Sequence, residues 1–130
     1  MTGRRHRDIP ADGIDWREGS QPGIRFAMFR TDETRADSPA VVLSKFGPDT
    51  VVEPHSHASN YLEYIIEGEQ TVGKTRFGVG DIRIVRGGTG YGPIRVGAEG
   101  CTVLIVFEDA SAAAVVAPAR KAQAAAGVSW

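Results

Sequence analysis

Short runs of β-branched and aromatic residues, separated by glycine and proline, recur along the middle of the chain. Residues 24–30 (IRFAMFR) alternate so that Phe26 and Met28 share one face, and residues 41–46 (VVLSKF) form a second β-branched run. Further short runs follow at 51–57, 61–67, 69–72, 74–77, 81–85, 91–96 and 102–108. This succession of short strands predicts an all-β sandwich or barrel.

Glycine-containing turns separate these runs, since the chain has 16 glycines and 7 prolines. Gly68 and Gly73 can adopt the positive φ that tight reversals need, so Glu67-Gly68 and Val72-Gly73 are predicted to reverse the chain between antiparallel strands. Residues 87–90 (GGTG) predict a loop. At the ends we expect a polar leader over 1–20, with Trp16 as a candidate anchor. We expect a single domain over 21–109, followed by an alanine-rich tail over 110–130. The composition of this tail is compatible with a short helix over 119–126 or with a loose segment.

Composition narrows the class of protein. With 15 Lys plus Arg against 16 Asp plus Glu, the 130-residue chain has a formal charge of -1 and no basic stripe, which argues against a nucleic-acid partner. Cys101 is the only cysteine, so an intrachain disulfide is excluded and a reducing compartment is favoured. The first ten residues lack the apolar run of a secretory signal or membrane anchor. We therefore expect a cytoplasmic protein without a membrane partner.

The candidate chemistry is concentrated in residues 53–69, EPHSHASNYLEYIIEGE. His55 and His57 are two of only three histidines, and residues two apart in a strand project from the same face about 7 Å apart. Two imidazoles that converge in this way form half of a metal site for zinc, copper, iron or nickel. The alternative is a pair of surface histidines beside a loop.

Glu63 follows in a run where Tyr61, Glu63 and Ile65 share one face. If that strand is central, a buried carboxylate must be paired, metal-bound or protonated, and a raised pKa would make it a general base. The alternative is an edge-strand carboxylate that faces water.

Three residues outside this run complete the candidate set. Tyr91 follows the glycine loop, from which its phenol can reach the mouth of a barrel or simply pack. Arg95 can pair with Glu63 or an anionic substrate, or it is a surface arginine. Met28 is a candidate substrate-binding residue on its strand.

Two stretches, GPDTVVEPHSHASNYLEYIIEGE and GVGDIRIVRGGTGYGPI, resemble the two motifs of the cupin superfamily. The resemblance covers about residues 41–108 and implies a jelly-roll β-barrel. It carries over only His55 and His57 as metal ligands, because the usual glutamate falls on Tyr61 and the usual third histidine on Tyr91. Small cupins also imply a homodimer, with contacts from residues near Trp16 to Arg30.

The resemblance leaves two functional hypotheses open. In one, His55, His57 and Glu63 hold a divalent metal (Fe, Zn, Ni or Mn), and Glu63, Tyr61 and Tyr91 are the catalytic residues. The metal then acts as a Lewis acid in an isomerase, lyase or cyclase, or in a dioxygenase if it is iron. In the other, the metal site has degenerated and the barrel binds a small molecule without turning it over.

Overall fold

The computed structural model describes residues 6–116 of the chain. Within this range ten strands form, and two 3-10 turns lie at Ala11–Gly13 and Ala110–Ala112. The strands are β1 Arg17–Glu18, β2 Ile24–Arg30, β3 Ala40–Phe46, β4 Val51–Val52, β5 Ser56–His57, β6 Tyr61–Val72, β7 Thr75–Gly78, β8 Ile82–Val85, β9 Ile94–Phe107 and β10 Val115–Val116. This all-β architecture confirms the predicted fold class.

All strand pairs are antiparallel, and two long strands organise them. The order is β1-β2-β3-β9-β6-β7, with β4 also paired to β9 and β8 also paired to β6. β10 pairs with β5 in a separate two-stranded sheet. The first half of β6 therefore lies between β8 and β9, while its second half lies between β7 and β9.

One predicted reversal is wrong. Gly73 does form the tight turn between β6 and β7, where Val72 pairs with Thr75. The chain does not reverse at Glu67-Gly68, however, because β6 continues through a β-bulge there. Gly68 has a φ of 73°, and a Cβ at this position would lie 1.9 Å from the Gly100 carbonyl oxygen. The glycine thus allows two long strands to pass closely where they bend.

A second difference concerns β9 and the chain after it. Residues 91–96 and 102–108, predicted as separate runs, belong largely to the single strand β9, Ile94–Phe107. Residues 110–116, assigned by sequence to the tail, form a 3-10 turn and β10, whose Val115 pairs with His57. The possible helix over 119–126 lies outside the described residues. Within the described part, no helix is long and apolar enough to cross a membrane.

Both halves of the long strands contribute to one core. Alternate residues of β3 and β9 point inward, so Val42, Phe46, Val103 and Ile105 are buried. Ile94 and Val96, from the other half of β9, belong to the same cluster. The candidate side chains lie on β5, on β6, and at the His55–Tyr91 bridge that joins the start of β5 to the loop before β9.

Candidate functional site

The two histidines of the sequence motif are buried side by side. His57 ends the two-residue strand β5, and His55 is held by a pair of backbone hydrogen bonds with Tyr91, at 3.0 and 3.1 Å. Only 4% of His55 and 1% of His57 is exposed. Their ring centroids lie 5.0 Å apart in an edge-to-face arrangement. The alternative of two surface histidines is therefore wrong.

Backbone carbonyls fix the tautomer of each ring. The Nδ1 of His55 lies 2.8 Å from the Glu53 carbonyl oxygen, and the Nδ1 of His57 lies 2.8 Å from that of Ala113. Because a carbonyl only accepts, each Nδ1 carries the proton and each neutral ring has its lone pair on Nε2. Burial lowers the pKa of His55 and lowers that of His57 to about 4. Both rings are consequently neutral near pH 7.

Two tyrosine hydroxyls continue this arrangement as a directed chain of hydrogen bonds. Tyr61 donates to the Tyr91 hydroxyl at 2.6 Å, and the Tyr91 hydroxyl lies 3.2 Å from Nε2 of His55. Since that nitrogen carries no proton, Tyr91 is the donor. Burial raises the pKa of both phenols above their usual value. The chain from Tyr61 through Tyr91 to His55 is therefore built from neutral groups.

Glu63 points inward as predicted, and its carboxylate forms an ion pair with an arginine. It is 4% exposed and lies directly opposite Arg83 in the β6–β8 pairing. One carboxylate oxygen lies 3.4 Å from Nε of Arg83 and 3.2 Å from Nε2 of Gln70, and the other lies 3.3 Å from a terminal nitrogen of Arg83. This ion pair neutralises the carboxylate inside the barrel.

Arg83 is a partly buried residue of this candidate site that the sequence patterns do not identify. Its guanidinium lies 4.2 Å from the centroid of the Tyr91 ring, within range of a cation–π contact. Burial alone would lower the pKa of Arg83, but Glu63 together with Tyr91 and Tyr61 more than compensates, so the pKa is raised and the cation is permanent. The sequence places Arg83 on a strand that follows Glu63, but an arginine between Ile82 and Ile84 is expected to point outward, so the pattern gives no signal for its inward position.

The sequence profile of the ChrR cupin-like domain family matches residues 6–111, which is most of the chain. The chain belongs to this family. The predicted cupin resemblance is thereby confirmed. No curated protein sequence matches the chain significantly.

Solved structures share the cupin fold at low sequence identity. KdgF from Halomonas sp. superposes with a TM-score of 0.64 at 20% identity, over 79% of this chain and 94% of KdgF. A variant of oxalate decarboxylase from B. subtilis gives a TM-score of 0.64 at 24% identity, over 77% of this chain but only 28% of that one. A chain from the complex of Rhodobacter sphaeroides SigE with the anti-sigma ChrR gives 0.62 at 22% identity, over 75% of this chain and 51% of that one. These similarities show the fold alone.

The two predicted substrate-binding residues, Met28 and Arg95, lie in different places: Met28 faces the core and Arg95 faces outward. Met28 is in the inward-facing row that runs through Val42 and Ile105 to Glu63, and it packs against the core. Arg95 is exposed and lies opposite Val51 and Thr71. The arginine that pairs with Glu63 is Arg83. Substrate binding by Met28 and Arg95 stays a prediction.

The fold family raises the question of a metal, since B. subtilis oxalate decarboxylase has Mn(II) centers. Among residues 6–116, no group of three or more His, Cys, Asp or Glu side chains is arranged to hold a metal ion. His55 and His57 offer two imidazoles, but Glu63 is engaged by Arg83, and neutral phenols such as Tyr61 and Tyr91 are weak ligands. This donor set does not fit a three-ligand metal centre, so no chemical step is assigned to a metal.

Proposed function

We propose that this cupin-like domain binds a small polar molecule with its own side chains rather than through a tightly held metal. The salt bridge between Glu63 and Arg83 carries this proposal, because it occupies the carboxylate that would complete a metal site with the histidines. It also places a permanent cation next to Tyr91. A guanidinium and phenol hydroxyls are groups that orient oxygen-rich ligands in otherwise apolar pockets.

A metal assay and a ligand screen on the full chain, purified without a histidine tag, test the proposal. Elemental mass spectrometry is expected to find well under one metal ion per chain. Thermal shift against small hydroxy- and keto-carboxylates is expected to find ligands that stabilise the protein equally with and without a chelator. Near-stoichiometric metal that disappears in both His55→Ala and His57→Ala would overturn the proposal and restore the metal-dependent hypothesis.

A matched pair of tyrosine variants locates the binding site. Tyr91→Phe removes the hydroxyl that links Tyr61 to His55, and we expect it to weaken ligand affinity about 5- to 10-fold, since a lost hydrogen bond costs about 1 to 1.5 kcal/mol. Tyr64→Phe removes a hydroxyl from a tyrosine that is 41% exposed on the other face of β6 and should leave binding unchanged. Equal losses in the two variants would contradict a site at Tyr91.

Proton transfer is a second candidate function, favoured by the hydrogen-bond chain itself. If a bound carbonyl compound reaches this chain, Tyr91 can donate a proton to the oxygen while the Glu63 carboxylate accepts the proton of the neighbouring carbon. NMR in D2O would detect exchange of that carbon-bound proton in a ligand from the screen. Exchange that is abolished in Tyr61→Phe and Tyr91→Phe would establish catalysis, whereas binding without exchange would leave a binding module.

The domain extent, oligomeric state and cellular compartment are also proposals. We infer a single cupin domain over 21–109, with the chain acting as a homodimer in the cytoplasm. Cys101 is buried, and burial raises the pKa of its thiol to about 12, so it is poorly suited to redox chemistry. A chain with one unreactive thiol is compatible with a reducing compartment.

A further inference from the structure

A cleft of about 550 Å³ lies between strand β2 and the 3-10 turn Ala110–Ala112. Its volume is within the usual range of small-molecule sites. The described residues that line the cleft include none of the histidines and tyrosines of the candidate site above, but they do include Met28. The cleft is therefore a separate place at which this chain can hold a ligand.

Phe26 and Met28 form an apolar floor in this cleft. Both point to the inner side of the sheet, because they lie opposite Ser44 and Val42, which are fully buried. They pack against the core but are themselves only partly buried. Within the described part of the chain, β1 covers this edge of β2 only at residues 25 and 26. The floor near Met28 is therefore open to a ligand.

The opposite wall of the cleft is formed by Ala110, Ser111 and Ala114. The Ala110 N–H donates to the Ser38 carbonyl oxygen at 2.8 Å, and the Ser111 N–H donates to the Asp109 carboxylate at 2.9 Å. These bonds hold the wall in place. Because its side chains are small, the wall leaves space above the apolar floor.

One cation at the rim of the cleft is available to a ligand. The charged residues that line the cleft are Asp15, Arg17, Glu18 and Arg30. Asp15 and Arg17 form an ion pair at 3.6 Å. Glu18 lies opposite Arg25, whose side chain alternates with that of Phe26 and so points to the outer side of the sheet. Among residues 6–116, Arg30 forms no ion pair.

Arg30 lies at the end of the same apolar row. It is opposite the buried Ala40, so it points to the same side of the sheet as Met28 and Phe26. Four residues separate Arg30 from Phe26, which corresponds to about 14 Å along an extended strand. The cleft thus combines a long apolar floor with a guanidinium at one end.

We propose that this cleft binds an amphipathic monocarboxylate, namely an unbranched fatty acid of medium chain length. The carboxylate pairs with Arg30, because a guanidinium matches a carboxylate in charge and in geometry. The hydrocarbon chain lies over Met28 towards Phe26, where it removes apolar surface of both partners from water. The inference does not depend on the function proposed for the site at Tyr91.

Isothermal titration calorimetry of the full chain with hexanoate, octanoate and decanoate tests the ligand class. The affinity is expected to rise about 2- to 4-fold with each added CH₂ group, because each group buries more apolar surface. Octanol has the same chain as octanoate without the charge, and it should bind about 5- to 10-fold more weakly. Absence of binding, or an affinity that does not change with chain length, would overturn the proposal.

Three variants test the position of the ligand. Arg30→Gln should weaken octanoate about 5- to 10-fold, leave octanol unchanged and so abolish the discrimination between them. Arg25→Gln, on the outer side of the same strand, is the matched control and should bind both ligands like the wild type. Met28→Gln should weaken both ligands about 5-fold, since it makes the floor polar. Discrimination that persists in Arg30→Gln, or full affinity in Met28→Gln, would overturn the assignment of the site to this cleft.

Discussion

At the level of single residues, the ion pair between Glu63 and Arg83 determines the charge inside the candidate site. Both side chains are largely withdrawn from water, with 6% of the Glu63 and 16% of the Arg83 side chain exposed. A buried ion pair contributes little net stability, but removal of one partner leaves the other charge without compensation. The pair therefore acts as a unit, in which Arg83 neutralises the charge of the buried carboxylate.

Replacement of Arg83 by methionine should be strongly destabilising. We expect Arg83→Met to lower the free energy of unfolding by about 3–5 kcal/mol, because Glu63 remains buried without its cation. The double variant Arg83→Met/Glu63→Met should recover most of this loss. Arg95→Met, at an exposed position, is the control and should change stability by about 0.5 kcal/mol or less. Urea unfolding at pH 7 measures the free energy of unfolding of all three variants. A loss of less than about 1 kcal/mol in Arg83→Met would show that water already compensates the ion pair.

His57 should make stability depend on pH in a defined window. Its pKa is lowered by burial from 6.5 to about 4, so between these values the unfolded chain binds a proton that the folded chain does not. Stability is therefore fully present above about pH 6.5 and falls as the pH is lowered towards 4, by about 3 kcal/mol in total. Burial also lowers the pKa of His55, which acts in the same direction.

Urea midpoints measured at pH 7, 6, 5 and 4 check this dependence. His57→Asn keeps a donor near the Ala113 carbonyl but cannot be protonated, so its stability should fall less steeply with decreasing pH. His6→Asn changes an exposed histidine and should retain the wild-type slope. Parallel slopes for wild type and His57→Asn would show that His57 is not the titrating group.

At the level of secondary-structure elements, local sequence patterns predict the positions of the strands well. They predict less well which side chains point into the candidate site. The alternation in β6 correctly placed Tyr61, Glu63 and Ile65 on the buried face. It did not identify Arg83, because the sequence Ile82-Arg83-Ile84 normally turns isoleucines inward and arginine outward. Only the pairing of β8 with β6, a contact between distant residues, reverses that preference. The bulge at Gly68 was missed for a similar reason, since it depends on the approach of Gly100.

Gly68→Ala should disrupt the bend shared by β6 and β9. An alanine Cβ would lie 1.9 Å from the Gly100 carbonyl oxygen, at a φ of 73° that alanine rarely adopts. We expect a loss of more than about 2 kcal/mol in the free energy of unfolding. Gly78→Ala is the control within β7, because nothing lies within 4 Å of the added carbon, and it should be nearly neutral. Thermal and urea unfolding would contradict this account if the two variants were equally stable.

For the whole molecule, the same cupin-like barrel is compatible with quite different functions, because function depends on a few side chains within it. The strand inventory and the two motifs are sufficient to predict the cupin superfamily, which the match over residues 6–111 confirms. They were not sufficient to predict the site, since Tyr61 and Tyr91 replace the expected ligands and Arg83 engages Glu63. These substitutions leave the barrel intact and change the ligand chemistry that it offers.

This view predicts that a metal centre can be built into the barrel. Tyr61 and Tyr91 occupy the places of the expected glutamate and histidine, and their hydroxyls lie 2.6 Å apart beside His55. Tyr61→Glu/Tyr91→His would therefore supply four ligands around one point. A ligand at 100 times its dissociation constant stabilises a protein by about 2.7 kcal/mol, or about 10 °C in a domain of this size. We expect Zn²⁺ or Mn²⁺ to raise the melting temperature of the double variant by about 10 °C and that of the wild type by much less. A similar rise in both proteins, lost in His57→Ala, would mean that the phenols already complete a metal site.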